Sequence, residues 1–166
     1  MLTASGAKDN GKEKTMNAIE LLKNEHEKAK RAFGEIQAAS ADQRGQPWAN
    51  LEPELKVHEQ MEEAALYGPV ASEVGFRDAT LREWQELHHD EVTEAEELIQ
   101  EISGIDSSTD EWMEKVEELQ ETLEHHIQEE EGDIWPRIQR AWDESKLEHA
   151  GEQMETLKRQ KMPHAA

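Results

Sequence analysis

Apolar residues recur along this chain at intervals of three and four, the spacing at which side chains share one face of an α-helix. Ile19, Leu22, Ala29, Phe33 and Ile36 form the first stripe, which starts near Asn17 and ends in the polar stretch 40–47. Leu51, Leu55, Ala65 and Leu66 form a second, running to Gly68-Pro69, with Pro53 placed in the first turn, where a missing N–H costs little. A third stripe comprises Leu81, Trp84, Val92, Ala95, Ile99 and Ile102 and stops at Gly104, and residues 107–110 supply caps for the next helix. The fourth runs from Trp112 through Val116, Leu119 and Leu123 to Ile134 and Ile138, with a kink predicted at Pro136. A weaker amphipathic segment, 147–158, predicts a short terminal helix, with a frayed end from residue 159. Sustained alternation is absent and β-branched residues are sparse, so no strand is predicted. The pattern predicts an all-α fold: an up-down-up-down four-helix bundle with a short C-terminal fifth helix. Residues 1–15 read as a disordered tail, 16–142 as the bundle, and 143–166 as the short helix and its tail.

Composition narrows the chemistry. At 166 residues the chain is sized for one domain. Its 39 acidic and 18 basic side chains give a net charge of -21, spread along the sequence, which disfavours nucleic acid and anionic lipid as partners. Cysteine is absent, which excludes disulfides, thiolate zinc sites and cysteine nucleophiles. No apolar run approaches the roughly 20 residues of a membrane span, and residues 1–15 lack the apolar core of a secretion signal, so the cytoplasm is the expected compartment.

The histidines sort by their place on the stripes. His26 lies four after Leu22 and three before Ala29. His58 lies three after Leu55, and Glu62 four beyond it continues the same face. His88 is four after Trp84, His126 is three after Leu123, and Glu130 is four before Ile134. All four helices therefore bring a polar group to the apolar seam. His89 competes with His88, because a small rotation of the third helix exchanges them; the stripe favours His88. His125 is one step off the seam, and His149 and His164 lie beyond it. A lone histidine on such a face is commonly a hydrogen-bonded core residue. Carboxylates differ, because burying one without a partner costs several kcal/mol. No Lys or Arg shares the stripes near Glu62 or Glu130, so a bound metal is the expected source of positive charge.

Imidazole and carboxylate donors suit a pair of iron or manganese ions, and zinc accepts the same groups. Four histidines and two carboxylates exceed one ordinary centre but hold two ions if both glutamates bridge. Trp84, Trp112, Leu123 and Ile99 are the expected wall of the surrounding pocket.

The segments 18–26, Leu55-Lys-Val-His58-Glu-Gln-Met-Glu62-Glu63 and His125-His126-Ile-Gln-Glu-Glu130-Glu131 through Trp135-Pro136 resemble the hemerythrin-like, His-His-Glu cation-binding family over roughly 17–142. The stretch 147–154 is similar to that family's closing helix. The resemblance implies His26 and His58 on one iron, His88 and His126 on the other, and Glu62 and Glu130 bridging, with an oxo, hydroxo or water bridge completing the pair. It implies a ligand such as dioxygen, nitric oxide or peroxide, with binding or sensing favoured over turnover. Glu59 matches an acidic position of iron-sensing members and is a candidate extra ligand. The third helix departs from the oxygen carriers, which place two histidines four apart; here Val92 follows His88 at that spacing and Thr93 follows His89. One coordination position is therefore expected to be open. Two alternatives stand beside this: ferritin-like iron oxidation and storage, for which only Glu86-x-x-His89 has the required spacing, and an iron-responsive regulatory protein without turnover.

Overall fold

The structure, a computed structural model, describes residues 15–162, so the tail predicted for 1–15, Thr15 aside, and His164 lie outside the described residues. Among the described residues every regular element is helical. Helix α1 (Ala18–Ala38) is started by Asn17, whose side-chain oxygen accepts the Glu20 N–H at 3.0 Å while the Glu20 carboxylate accepts the Asn17 N–H at 3.2 Å. Helix α2 (Gly45–Glu62) passes through a π-helical turn, Glu63–Tyr67, into α3 (Gly68–Val74). Asp78 caps α4 (Ala79–Gly104) and Thr109 caps α5 (Asp110–Glu129). A second π-helical turn, Glu130–Ile134, joins α5 to α6 (Trp135–Ala141), and Asp143 caps α7 (Glu144–Lys161).

Three sequence expectations change. Helix α2 begins at Gly45, so Pro53 falls in its interior; both Pro53 and Ala49, whose carbonyl loses its amide partner there, are exposed, and water can reach the gap. Gly68-Pro69 does not end the second helix. A π-helical turn precedes Pro69 and another precedes Pro136, with the Gly68 N–H bonded to the Glu63 carbonyl and the Trp135 N–H to the Glu130 carbonyl. The wider turn comes just where the proline ring would crowd the preceding α-turn, and the chain then continues helically. Finally, α7 has 18 residues, reaches Lys161 and buries Leu147, Ala150, Gly151 and Met154. It lies so close to the chain ahead of α1 that a Cβ on Gly151 would stand 2.4 Å from the Met16 carbonyl oxygen.

Helix α1 packs on α2 and α7, and α4 on α5, with further contacts of α1 with α5 and α2 with α4. The four long rods thus form a helical bundle. Their stripes build two apolar cores. One gathers Leu22, Met61, Leu66, Trp135, Ile138 and Met154; the other gathers Phe33, Ile36, Trp48, Ile99, Trp112 and Leu119. Along α1, α4, and α5 with the π-helical turn that follows it, the seam histidine falls between the residues given to the first core and those given to the second, and on α2 His58 sits at the same boundary, next to Val57 of the first core.

Candidate metal centre

The layer between the cores is built by one donor or pair from each rod. Helix α1 supplies His26, α2 supplies His58 and Glu62, α4 supplies His88, and α5 with its π-helical turn supplies His126 and Glu130. Each glutamate lies against two imidazoles. Glu62 has His88 Nε2 at 3.0 Å from one oxygen and His58 Nε2 at 3.1 Å from the other. Glu130 has His126 Nε2 at 2.8 Å and His26 Nε2 at 3.2 Å in the same way. His26, His58 and Glu62 form one group whose donor atoms lie within 4.8 Å of one another, and Glu62, His88, His126 and Glu130 form another. Glu62 belongs to both.

Four residues outside the seam reading complete the layer. Glu131 accepts a hydrogen bond at 2.8 Å from His26 Nδ1, and Glu91 one at 2.5 Å from His126 Nδ1. A proton held on Nδ1 leaves the Nε2 lone pair aimed inward, the tautomer a metal ligand needs. The Tyr67 hydroxyl donates to Glu130 at 2.8 Å and accepts from Trp135 Nε1 at 2.8 Å. Trp135 stacks on His26, and Trp84 stacks on His126. Glu91 is three after His88 and was within reach of a stripe argument; Glu131 reaches across to another helix and carries no local signal. Tyr67 and Trp135 each stand five after a buried glutamate, off the face of a regular α-helix, and the π-helical turns bring both inward.

The remaining candidates are placed apart. His89, His125, His149 and Glu86 are exposed, so the Glu86-x-x-His89 pair points away from the seam. Glu59 is half-buried beside the layer, in neither donor group, with one oxygen lacking a hydrogen-bond partner. Trp112 and Ile99 belong to the second core, where Trp112 packs edge to face on Trp48, and Trp84 belongs to the first, where it stacks on His126; of the expected wall, Leu123 faces the cavity beside the centre.

Charge balance tests whether a cation fits. Burial would lower the His58 pKa, but the Glu62 carboxylate beside it raises it to about 9. His126 is likewise lowered by burial and raised by Glu130 and Glu91, to about 11. The two glutamates, despite burial, are held low by these imidazoles. Protons on His58 and His126 therefore offset the two acids when no metal does. Even so, Glu62 Oε1 and Glu130 Oε2 are buried without a hydrogen-bond partner, although His58 and His26 are close by. Near approach without hydrogen-bond alignment, by nitrogen and oxygen donors alone, is an arrangement a divalent cation satisfies.

The profile of the hemerythrin HHE cation binding domain matches residues 17–138. The chain belongs to the hemerythrin HHE cation-binding family. A protein named DNA nickase, from Nostoc sp. (strain PCC 7120 / SAG 25.82 / UTEX 2576), is 29% identical over 124 residues, covering 74% of this chain and 34% of that one. The chain thus spans about a third of the length of that relative. No solved structure matches. Membership in a hemerythrin HHE family agrees with a His/Glu donor set inside a helical bundle, and none of the described helices is long and apolar enough to cross a membrane.

Proposed function

We propose that this chain is a non-haem di-iron protein that binds or senses dioxygen or a related small ligand, such as nitric oxide or peroxide, inside an up-down-up-down four-helix bundle. The alternation of rods is supported by the core assignments: α1 and α4 begin in the first core and end in the second, while α2, and α5 with the π-helical turn that follows it, do the reverse. On this reading His26 and His58 hold one ion, His88 and His126 the other, and Glu62 and Glu130 bridge. Manganese or zinc could occupy the same donors. The observation that carries the proposal is the convergence of six donors around two buried carboxylate oxygens that lack hydrogen-bond partners. A bound iron pair supplies reversible one- and two-electron redox chemistry. The protein holds His126 and His26 in one tautomer through Glu91 and Glu131, anchors Glu130 through Tyr67, and packs Trp135 on His26 and Trp84 on His126. No residue on α4 fills the place of a further histidine; Val92 stands there, at the edge of the cavity, and leaves room for an exogenous ligand.

Anaerobic loading with ferrous iron, followed by metal analysis and visible spectra before and after air, tests the proposal. Two irons per chain and the charge-transfer bands of a ferric pair are expected. Fewer than one iron per chain, with no such bands, overturns it. The name of the Nostoc relative concerns DNA, but a net charge of -21 opposes phosphate binding. Supercoiled plasmid incubated with the chain in magnesium buffer is expected to stay intact.

A further inference from the structure

We propose that the cavity beside the centre binds a neutral or cationic, largely hydrocarbon organic molecule, seated with one end against the His26, His58 and His126 layer. This deepens the proposed function and rests on it for the chemistry at the floor of the site. The cavity has a volume of about 490 Å³ and lies among α1, α2, α4 and α5. One water's share of liquid volume is about 30 Å³, so the space equals roughly sixteen waters, far more than a diatomic ligand needs. It falls within the size range of sites for small organic molecules, about 300–1,000 Å³.

Protein interiors are close-packed and rarely leave voids larger than a water, so a space of this size in the seam has a local cause. Ala29 on α1 and Ala95 on α4 occupy stripe positions where a larger side chain would fill the gap. Phe33, Leu51, Leu55 and Leu123 supply apolar walls, while His26, His58, Glu62 and His126 form the polar floor. The lining continues to exposed side chains, His125 and Glu124 among them, which gives the space a route to solvent. Apolar walls with polar groups gathered at one end fix the ligand's character: a hydrocarbon body and a single reactive or polar end.

Charge sets the rest of its chemistry. Carboxylates outnumber the cationic side chains Lys28, Lys30 and Arg31 in the lining, and Lys28 and Lys30 are already paired with Glu25 and Glu27. An anionic molecule, such as a fatty acid, meets net repulsion at this mouth; a neutral molecule or an amine does not.

The test uses two fluorescent probes of similar size, the neutral N-phenyl-1-naphthylamine and the anionic 8-anilino-1-naphthalenesulfonate, titrated into the full chain with and without iron. Saturable binding of one neutral probe per chain is expected in both forms, with at least tenfold weaker binding of the sulfonate. Ala29→Phe should weaken the neutral probe at least tenfold while melting temperature and iron content hold; Ala95→Leu gives a second way of filling the space. In the iron-loaded chain the neutral probe should also shift the visible spectrum, and Ala29→Phe should abolish that shift. No saturable neutral-probe binding, equal binding of both probes, or undiminished binding by a folded filling variant would overturn the proposal. Iron uptake without probe binding defeats the cavity site alone; probe binding without iron uptake defeats the iron centre and the seating against it.

Discussion

The two His-x-x-x-Glu arms share a sequence plan and differ in what surrounds them. His58-Glu62 and His126-Glu130 each lead to a π-helical turn, an inward aromatic residue five after the glutamate, and a proline. Both glutamates are buried. Glu130 is sealed: it receives the Tyr67 hydroxyl, Trp135 backs that hydroxyl, and Glu91 clamps His126. Glu62 instead borders the cavity together with His58, and among the described residues no carboxylate holds His58 Nδ1. Identical spacing thus produces one glutamate that is anchored and one that borders the cavity, while both His58 and His126 reach the cavity floor. Spacing places the donors; neighbours from other helices decide their roles.

The sharpest way to break this comparison is to remove each glutamate in turn. Glu130→Ala leaves His126 and Tyr67 facing each other in a dry layer and should cost the metal-free chain about 3–5 kcal/mol. Glu62→Ala opens onto the cavity, where water can replace the lost oxygen, and should cost nearer about 1–3 kcal/mol. Urea unfolding of both variants decides; equal losses would mean that the arms are not distinguished by their surroundings. Next, on the proposed ligand set, Glu91→Gln and Glu131→Gln should each weaken iron binding about 10–100-fold, because their carboxylates fix the tautomers of His126 and His26. Competition with a chelator measures this, and unchanged affinity would show that the imidazoles are oriented by packing alone.

Tyr67→Phe takes one hydrogen bond from Glu130 and one from Trp135 and should cost about 1–3 kcal/mol by the same unfolding measurement. A neutral result would mean that the aromatic pair does not anchor Glu130. Per unit of pH the slope is gentler, at most about 1.4 kcal/mol for each group. In the metal-free chain the folded pKa of His58 is raised to about 9 and that of His126 to about 11. Each folded state holds its proton more tightly than the unfolded chain does, so the stabilisation is complete below the unfolded value near 6.5. It is lost as pH rises, first through about 9 for the His58 arm and then toward about 11 for the His126 arm. Burial and the Glu62 charge raise Glu59 to about 8, so its contribution declines in the same direction. Melting temperatures from pH 6 to 10 should fall for the metal-free chain and stay flatter with iron bound, since ligation releases those protons.

Much of this was legible in the sequence because helical periodicity is a direct record of burial. The stripes gave the rods, and His26, His58, Glu62, His88, His126 and Glu130 stand in the layer where those stripes placed them. His88 and His89 were separable only by phase, and the structure turns His88 inward and leaves His89 exposed. What periodicity could not carry was any change of period. At 3.6 residues per turn, a residue five after Glu62 or Glu130 lies about 140° away from it around the helix. Tyr67 and Trp135 therefore read as off the seam, and Gly68-Pro69 read as an end. Glu131 was illegible for another reason: its partner, His26, belongs to a different rod, and nothing along one strand of sequence reports that encounter.

Each widened turn contains one residue beyond what a regular helix would use. Relaxing 63–67 to the ordinary pitch without removing that residue would swing the downstream segment by about 100°, carrying the phenol away from its acceptor while every donor upstream stayed put. In these two rods the count of residues between acid and imino acid acts as a ruler, and its length governs whether the aromatic pair can close over the layer.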